Sequence, residues 1–260
     1  MPELPDLEVF KDNIFRKLSS KRLVGLEVFN RNKVITPETY LKSELVGRDL
    51  AGIGRVGKEL MFDFGGAVIA AHLMLNGVIS ILPDSEAAAV KFKIFALKFE
   101  KETVVFSDRG GLCTIKYNPV PDKTPDAFDD AFSFDYFTRI AGKKSRTNVK
   151  AFLIDQSVVK GIGNAYADEI LWAARISPLS VVGKIPEDTM RNLYDAVNSV
   201  LKEAVDSIKR ISPDIISGEE RGFLKVHRKD IGKTVTGHPI AVATIASKIT
   251  YYTEEQIIYQ

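Results

Sequence analysis

The chain has 260 residues, and 36 Lys and Arg side chains nearly balance 34 Asp and Glu side chains, for a formal net charge of +2. Hydrophobic residues make up 45% and charged residues 27%, a composition that excludes a long disordered protein or a coiled coil. The length allows one large or two smaller domains, with a core that needs no metal or disulfide. The single cysteine, Cys113, excludes an intramolecular disulfide and a cysteine zinc cluster.

The first ten residues include acidic side chains and contain no continuous apolar segment, so we do not expect a signal peptide. No stretch approaches the roughly 18 uninterrupted apolar residues of a membrane span. We therefore expect a cytoplasmic protein that does not enter a membrane.

The first predicted element is a helix over residues 5–18, because apolar side chains recur there with helical spacing. Runs typical of strands follow, separated by Gly and Pro turns; they cover 22–29, 60–64, 67–74, 92–99, 103–106 and 112–117. Most connections between them are too short for a crossover helix, so we expect antiparallel pairing in a sandwich.

The composition changes in the segment 118–138, whose three prolines and five aspartates predict an exposed linker. Helical patterns follow over 147–156, 164–174 and 187–209, and the tail from 223 to 259 returns to β-type residues. These patterns divide the chain into a β-rich domain (1–117), the linker, a helical domain (139–222) and a small β domain (223–260).

Charge is distributed unevenly along the chain. Residues 139–160 hold six basic side chains against one acidic, and residues 221–233 hold five against one. Residues 119–137 hold five aspartates against one lysine. A basic face that binds nucleic acid fits this pattern, and so do separate solvated surfaces of opposite charge.

A glycine-rich turn, Lys160-Gly161-Ile162-Gly163-Asn164, precedes one of the predicted helices. Its glycines permit positive φ and close backbone approach. The N–H groups at a helix start suit a phosphate, and the Asn164 amide adds a donor. Most turns of this kind are only turns, but the neighbouring basic run favours a phosphate site.

The start of the chain offers a different chemistry if Met1 is removed, which the small Pro2 permits. An α-amine has a pKa of about 7.7–8.0, against about 10.4 for lysine, so much more of it is unprotonated at neutral pH. A secondary amine that attacks a carbonyl or acetal carbon gives an iminium, and Glu3 supplies an adjacent acid or base. Taken alone, Met-Pro-Glu is more often an arbitrary start.

Several segments match the motifs of one enzyme family, in the same order and at the same spacing. They are Pro2-Glu3-Leu4-Pro5-Asp6-Leu7-Glu8, Gly57-Lys58-Glu59-Leu60, His72-Leu73-Met74-Leu75-Asn76-Gly77, Leu153-Ile154-Asp155-Gln156 and Gly161-Ile162-Gly163-Asn164-Ala165-Tyr166-Ala167-Asp168-Glu169-Ile170-Leu171. With these motifs the sequence resembles the formamidopyrimidine-DNA glycosylase / endonuclease VIII family of base-excision repair enzymes, over nearly the whole chain.

The resemblance implies an α+β fold. An N-terminal antiparallel β-sandwich domain with an N-terminal helix would be catalytic, and a linker would lead to a helical domain with a helix–two-turns–helix element that binds DNA. The C-terminal domain would be a β-hairpin finger. The implied partner is double-stranded DNA with a damaged base or an abasic site, bound by a monomer without a cofactor.

The resemblance also assigns residues. Pro2 would be the nucleophile at the deoxyribose C1′, Glu3 the acid/base that helps open the sugar, and Lys58 a phosphate contact that assists base release. The implied DNA-binding residues are Leu75, Arg109, Lys150, Asn164 and Lys248. A base must leave the duplex to be excised, so phosphate contacts supply affinity and a side-chain wedge fills the gap.

The sequence departs from the family pattern in three places. Lys233, Thr236, Thr253 and Gln256 fall where the family carries four zinc-binding cysteines, so we expect a zincless finger without metal, held by apolar packing. Lys248 replaces the finger arginine and lacks its bidentate geometry. Leu75 replaces the wedge methionine. The loop that would probe the opposite base is shortened, so either Arg109 or Leu112 could fill that role.

The leading hypothesis is a bifunctional DNA glycosylase and abasic-site lyase that removes oxidised bases through a Schiff base on Pro2. The altered finger and shortened loop motivate an alternative, a catalytically impaired damaged-DNA-binding protein of the same fold. An unrelated RNA-binding helix–two-turns–helix protein is disfavoured by the Pro-Glu start. We expect His72, Cys113 and Trp172 to be structural.

Overall fold

The computed structural model describes residues 1–260, which form two compact units. The first unit comprises Met1–Pro2, Asp6–Asp122 and Ser212–Glu219, and the second comprises Glu3–Pro5, Lys123–Ile211 and Glu220–Gln260. Each unit thus takes in short segments that lie far away in sequence. The predicted domain limits, drawn from composition, contain no such exchanges.

The first unit is built mainly of strands. In chain order its elements are α1 (Leu4–Leu18, in this unit from Asp6), β1 (Leu23–Val28), α2 (Glu38–Leu45), β2 (Gly52–Val56), β3 (Glu59–Asp63), β4 (Val68–His72), β5 (Val78–Leu82), α3 (Asp84–Ala87), β6 (Lys93–Phe99), β7 (Thr103–Ser107) and β8 (Thr114–Tyr117). They form two antiparallel four-stranded sheets, in the orders β1-β6-β7-β5 and β2-β3-β4-β8. The predicted antiparallel sandwich is confirmed.

One apolar core joins the two sheets and α1. The rings of Phe62 on β3 and Phe106 on β7 meet edge to face, with centroids 5.6 Å apart. Phe10 and Ile14 of α1 are fully buried in the same core, as their helical spacing predicts. Burial of alternate side chains on both inner faces is the usual basis of such a sandwich.

The segment 212–219 returns to the first unit. Asn13 on α1 donates its amide to the Ile215 carbonyl at 2.8 Å, and the Ile79 N–H donates to Ser217 Oγ at 3.0 Å. Ile215 and Ile216 also pack against the core of this unit. Residues 212–219, which directly follow the last helix of the second unit, therefore belong to the β-rich unit.

The second unit is mainly helical and ends in a hairpin. Its elements are α4 (Phe134–Lys143), α5 (Val149–Ile154), α6 (Asn164–Ala173), a short 3-10 helix (Val182–Lys184), α7 (Glu187–Ile211), β9 (Ala241–Ile245) and β10 (Lys248–Tyr252). Strands β9 and β10 pair antiparallel. None of the helices in the chain has both the length and the apolar composition that crossing a bilayer requires.

The predicted exposed linker, 118–138, is in part a core segment. Ala127 and Phe132 are buried in the core of the helical unit, and α4 begins at Phe134 with a hydrogen bond from the Tyr136 N–H to Ser133 Oγ. The prediction rested on the prolines and aspartates; most of the aspartates are exposed, but Pro125 is buried. The interleaved aromatic side chains decide the packing because their burial is worth more.

Candidate functional site

The start of the chain is anchored in the first unit. The Met1 amine forms an ion pair with the Glu219 carboxylate. Pro2 is buried, and its nitrogen is here part of the peptide bond to Met1. The amine chemistry predicted for Pro2 therefore requires a chain from which Met1 has been removed.

Glu3 lies at the N-terminus of α6, in the second unit. Its carboxylate accepts hydrogen bonds from the Gly163 N–H at 2.7 Å and the Ala165 N–H at 3.0 Å. A carboxylate at this position is favoured by the helix dipole as well as by the two donors. The predicted phosphate site at these N–H groups is thus occupied by the protein's own carboxylate.

The turn before α6 needs its two glycines for close approach. A Cβ built on Gly163 would lie 2.4 Å from the carboxyl carbon of Glu3. Gly161 has a φ of +102°, and its Cβ would lie 2.6 Å from Leu4 Cδ1. The Leu4 N–H also donates to the Gly161 carbonyl at 3.2 Å. Residues 3–5 and this turn therefore fit together without room for a side chain.

Lys58 occupies a two-residue turn between β2 and β3, in the first unit. Val56 pairs with Glu59, so Gly57 and Lys58 form the tip, and Gly57 takes a φ of +58° as short hairpins require. The Arg55 guanidinium donates to the Gly57 carbonyl at 2.9 Å. The Arg55 side chain, which belongs to the same hairpin, therefore fixes the backbone of the turn that carries Lys58.

The loops of Leu75 and Arg109 leave the sheets side by side. The loop 73–77 leads into β5 and the loop 108–113 follows β7, where Val78 pairs with Ser107. Leu75 is 57% exposed and Arg109 is exposed as well. Two exposed side chains on adjacent loops are available to a partner of this unit, as the predictions for Leu75 and Arg109 require.

His72 supports the loop that carries Leu75. Its Nδ1 accepts the Met74 N–H at 3.0 Å. Burial is the main cause that lowers the pKa of His72, and nearby Lys58 lowers it further while Glu59 opposes the shift. A neutral imidazole can accept at Nδ1, so the low pKa and the hydrogen bond are consistent with each other.

Asp108 organises the loop of Arg109. Its carboxylate accepts the N–H groups of Gly110 at 2.8 Å, Leu112 at 2.6 Å and Cys113 at 2.8 Å. Burial acts to raise the pKa of this carboxyl, but the backbone hydrogen bonds outweigh burial and hold the pKa below its ordinary value. Burial also raises the pKa of the Cys113 thiol to about 12, so this thiol is inert at neutral pH.

The structure brings Lys150, Asn164 and the residue after Lys248 together in the second unit. The Ile249 carbonyl accepts from Asn164 Nδ2 at 2.9 Å and from Lys150 Nζ at 3.4 Å. Lys150 is fully buried, and its Nζ lies 2.7 Å from Asp168 Oδ1. A phosphate contact by Lys150 stays a prediction, since in this structure its ammonium supports strand β10. Lys248 itself is exposed.

Two buried acidic residues in the apolar helix α6 make contacts to the C-terminal segment that the sequence did not predict. Asp168 Oδ2 lies 2.6 Å from His227 Nδ1 and accepts the Tyr251 N–H at 2.9 Å. Glu169 accepts the N–H groups of residues 225–227 at 2.7–2.9 Å; burial is the larger effect and raises its pKa against these hydrogen bonds. Adjacent acids in an otherwise apolar helix were the signal available in the sequence.

The C-terminal finger is held by polar contacts, which corrects the predicted apolar packing at the former cysteine positions. Glu255 accepts hydrogen bonds from Thr236 Oγ1 at 2.8 Å and Thr253 Oγ1 at 3.3 Å. It also accepts from Trp172 Nε1 at 3.3 Å, so this half-buried tryptophan, expected to be structural, binds the finger through its polar edge. Gln256 accepts the Thr253 N–H at 2.8 Å. Threonine and glutamine carry groups that apolar packing would leave unsatisfied.

Comparison with known families identifies both units. The family model described as Formamidopyrimidine-DNA glycosylase N-terminal domain matches residues 1–114, and the model described as Formamidopyrimidine-DNA glycosylase H2TH domain matches residues 124–214. The Formamidopyrimidine-DNA glycosylase of Chloroflexus aurantiacus is 30% identical over 79% of this chain and 77% of that protein. The enzyme of the same name from Lactococcus lactis subsp. lactis is 29% identical over 97% of each chain.

Solved structures agree with these matches. Wild-type Fpg of Lactococcus lactis, in complex with DNA that contains an oxidised pyrimidine, superposes with a TM-score of 0.86 at 25% identity, over 98% of this chain and 99% of that one. A variant of that Fpg bound to a Fapy-dG-containing DNA gives a TM-score of 0.85 at 26% identity, with the same coverage.

Proposed function

The chain belongs to the formamidopyrimidine-DNA glycosylase family, and on this premise we propose that it is a bifunctional enzyme of base-excision repair. It removes oxidised bases from double-stranded DNA and then cleaves the strand as an abasic-site lyase. The relatives crystallised with an oxidised pyrimidine and with Fapy-dG support this substrate class. The chemistry is carried by Pro2, Glu3 and Lys58.

Catalysis begins with the amine that Pro2 presents once Met1 has been removed. Its lone pair attacks the deoxyribose C1′, the bond from C1′ to the base breaks with its electron pair on the base, and water protonates the departing base. The Glu3 carboxylate takes the proton of the amine and delivers it to O4′, the bond between C1′ and O4′ opens, and the iminium forms.

The iminium then draws electrons from the sugar. The Glu3 carboxylate takes a proton from C2′, a double bond forms between C2′ and C3′, and the 3′-phosphate departs with the electron pair of its C–O bond, which nicks the strand. Water hydrolyses the iminium and releases the amine. Lys58 binds the phosphate next to the lesion and thereby assists base release.

The observation that carries the proposal is the fixed position of Glu3. Hydrogen bonds from Gly163 and Ala165 hold its carboxylate, and the peptide bond that follows Pro2 joins the two residues. A preorganised carboxylate next to the nucleophile can take the amine proton and return it to O4′, as acid-assisted ring opening requires. DNA affinity comes from Lys248, Asn164, Arg109 and the exposed Leu75, with Lys150 in support.

Borohydride trapping tests the nucleophile. The protein without Met1, incubated with an abasic-site duplex and borohydride, should give a covalent adduct, because the reductant converts the iminium to a stable amine. The protein that retains Met1 should give none, and Pro2→Gly should trap slowly through its primary amine. Equal trapping with and without Met1 would refute the role of Pro2. No adduct in either form, with DNA binding intact, would favour the catalytically impaired binding protein.

A further inference from the structure

The turn that carries Lys58 depends on a buried arginine from its own hairpin. We propose that Arg55, held by Glu8, is the positioning residue for Lys58. The proposal rests on the function proposed for Lys58. The Arg55 guanidinium donates to Glu8 Oε2 at 2.8 Å through Nε and to the Gly57 carbonyl at 2.9 Å through a terminal nitrogen.

Burial makes this arginine unusual. The Arg55 side chain is 4% exposed, while most arginines keep their charged end in water. A buried cation needs an anion, and Glu8 on α1 supplies it. Because Glu8 also pairs with Lys11 one helical turn further on, the carboxylate is itself fixed on the helix.

The geometry explains why an arginine is needed. The turn directs the Gly57 carbonyl inward, and a carbonyl is an acceptor that the Glu8 carboxylate cannot bind directly. A guanidinium donates in several fixed directions and bridges the two acceptors at once. The Gly57 oxygen belongs to the peptide unit that leads into Lys58, so fixing this oxygen fixes the plane from which the lysine side chain departs.

A control arginine lies near another turn of the same unit. Arg48 donates to the carbonyls of Phe64 and Gly65, in the turn between β3 and β4, at 3.5 and 3.3 Å. Like Arg55 it pairs with a glutamate, Glu44. That turn carries no residue of the proposed machinery. Arg48 is 41% exposed, so Arg48→Met controls for the loss of an arginine that binds turn carbonyls, at a turn outside the proposed machinery.

The test measures single-turnover base release from a lesion duplex by wild type, R55M, K58A and the double variant, all lacking Met1. R55M should slow base release by about 10- to 100-fold, as expected when a reacting group is misplaced. In the K58A background the same change should have little further effect, because the two residues act as one unit. R48M should behave like wild type, and E8Q should give a weaker form of the R55M defect.

Hydrogen–deuterium exchange of the free protein supplies a readout that needs no activity. R55M should speed exchange of residues 56–60 and leave the turn at 64–67 unchanged, whereas R48M should do the reverse. Unchanged exchange at 56–60 in R55M, or a loss of base release that is equally large in the K58A background, would overturn the inference. An inactive wild-type protein would instead contradict the proposed function. Hydrogen–deuterium exchange would still show whether Arg55 fixes the turn.

Discussion

Two short glycine turns, one in each unit, carry predicted site residues, and both are held by a glutamate from the first helix region. The turn before α6 binds Glu3 directly through the N–H groups of Gly163 and Ala165. The turn of Lys58 is linked to Glu8 through Arg55, which donates to the Glu8 carboxylate and to the Gly57 carbonyl. The difference follows from which backbone group each turn presents.

A helix start presents N–H donors, which a carboxylate can accept without help. The tip of the β2–β3 hairpin presents a carbonyl, so a donor must stand between it and the carboxylate. In both turns a backbone group is fixed by a hydrogen bond. The turn before α6 donates its N–H groups, whereas the turn of Lys58 accepts through its carbonyl. The changes below test each half of this comparison.

The largest effect is expected from Gly163→Ala. The φ of Gly163 is −125°, which alanine adopts freely, so the only consequence is a Cβ 2.4 Å from the Glu3 carboxyl carbon. Displacing a general acid should slow base release by about 100-fold or more. Gly142→Ala is the control, since nothing lies within 4 Å of its Cβ. Wild-type rates in Gly163→Ala would show that the position of Glu3 is unimportant.

Gly161→Ala should mainly affect stability. A φ of +102° and a Cβ 2.6 Å from Leu4 Cδ1 combine backbone strain with a clash. We expect the free energy of unfolding to fall by about 2–4 kcal/mol, measured by urea denaturation. Gly47→Ala, with φ +91° and no neighbour within 4 Å, adds backbone strain without a clash. Its free energy of unfolding should fall by only about 1–2 kcal/mol. Equal losses in both variants would mean that Leu4 makes room.

Asp108→Asn extends the comparison to a carboxylate that binds backbone N–H groups in the β-rich unit. We expect a loss of about 1–3 kcal/mol, because an amide cannot satisfy the donors that the carboxylate accepts. Since the pKa of Asp108 is lowered on folding, its contribution is present above the ordinary pKa of 3.8 and is lost as the pH falls through the folded-state pKa.

Stability curves between neutral and acid pH check this sign. The curve of Asp108→Asn should fall less steeply in acid than that of wild type. Asp49→Asn, which breaks only the exposed pair with Arg22, is the control and should leave stability nearly unchanged. Parallel acid limbs in wild type and Asp108→Asn would contradict the pKa shift.

The smallest effect is expected from Lys248→Ala. Lys248 is exposed beside Ile249, whose carbonyl binds Asn164 and Lys150, so it is the charge of this cluster that is accessible to phosphate. Its loss should reduce the slope of log affinity against log salt by about one, with little dependence on DNA sequence. Lys202→Ala on α7 should leave the slope unchanged. An unaltered slope in Lys248→Ala would remove Lys248 from the phosphate contacts.

The periodicity of the side chains predicted the two long helices and several strands, but it missed strand β5 (Val78–Leu82) and placed the start of α4 in the linker. The helix predicted over 5–18 is α1, and the helix predicted over 187–209 is α7, which continues to Ile211. Strand β2, with its two glycines and an arginine, was missed because its pattern is not apolar. Its partner β3 was found within one residue at either end.

The candidate site divides in the same way. The sequence motifs identified Pro2, Glu3 and Lys58 as candidate site residues, because a motif is a local arrangement of residue types. Motifs did not show that Glu3 fills the N-terminus of α6, that Lys150 is buried, or that Glu255 connects Thr236 and Thr253. These arrangements depend on partners distant in sequence: Glu255 lies 19 residues from Thr236, and Glu3 lies 162 residues from Ala165.

The sequence by itself determined the family, the antiparallel sandwich and the candidate nucleophile, since local periodicity and residue identity encode them. Only the tertiary structure decided which donors each buried carboxylate meets. A buried charge takes whichever partner packing brings within hydrogen-bond distance, and that choice is made by the folded chain as a whole.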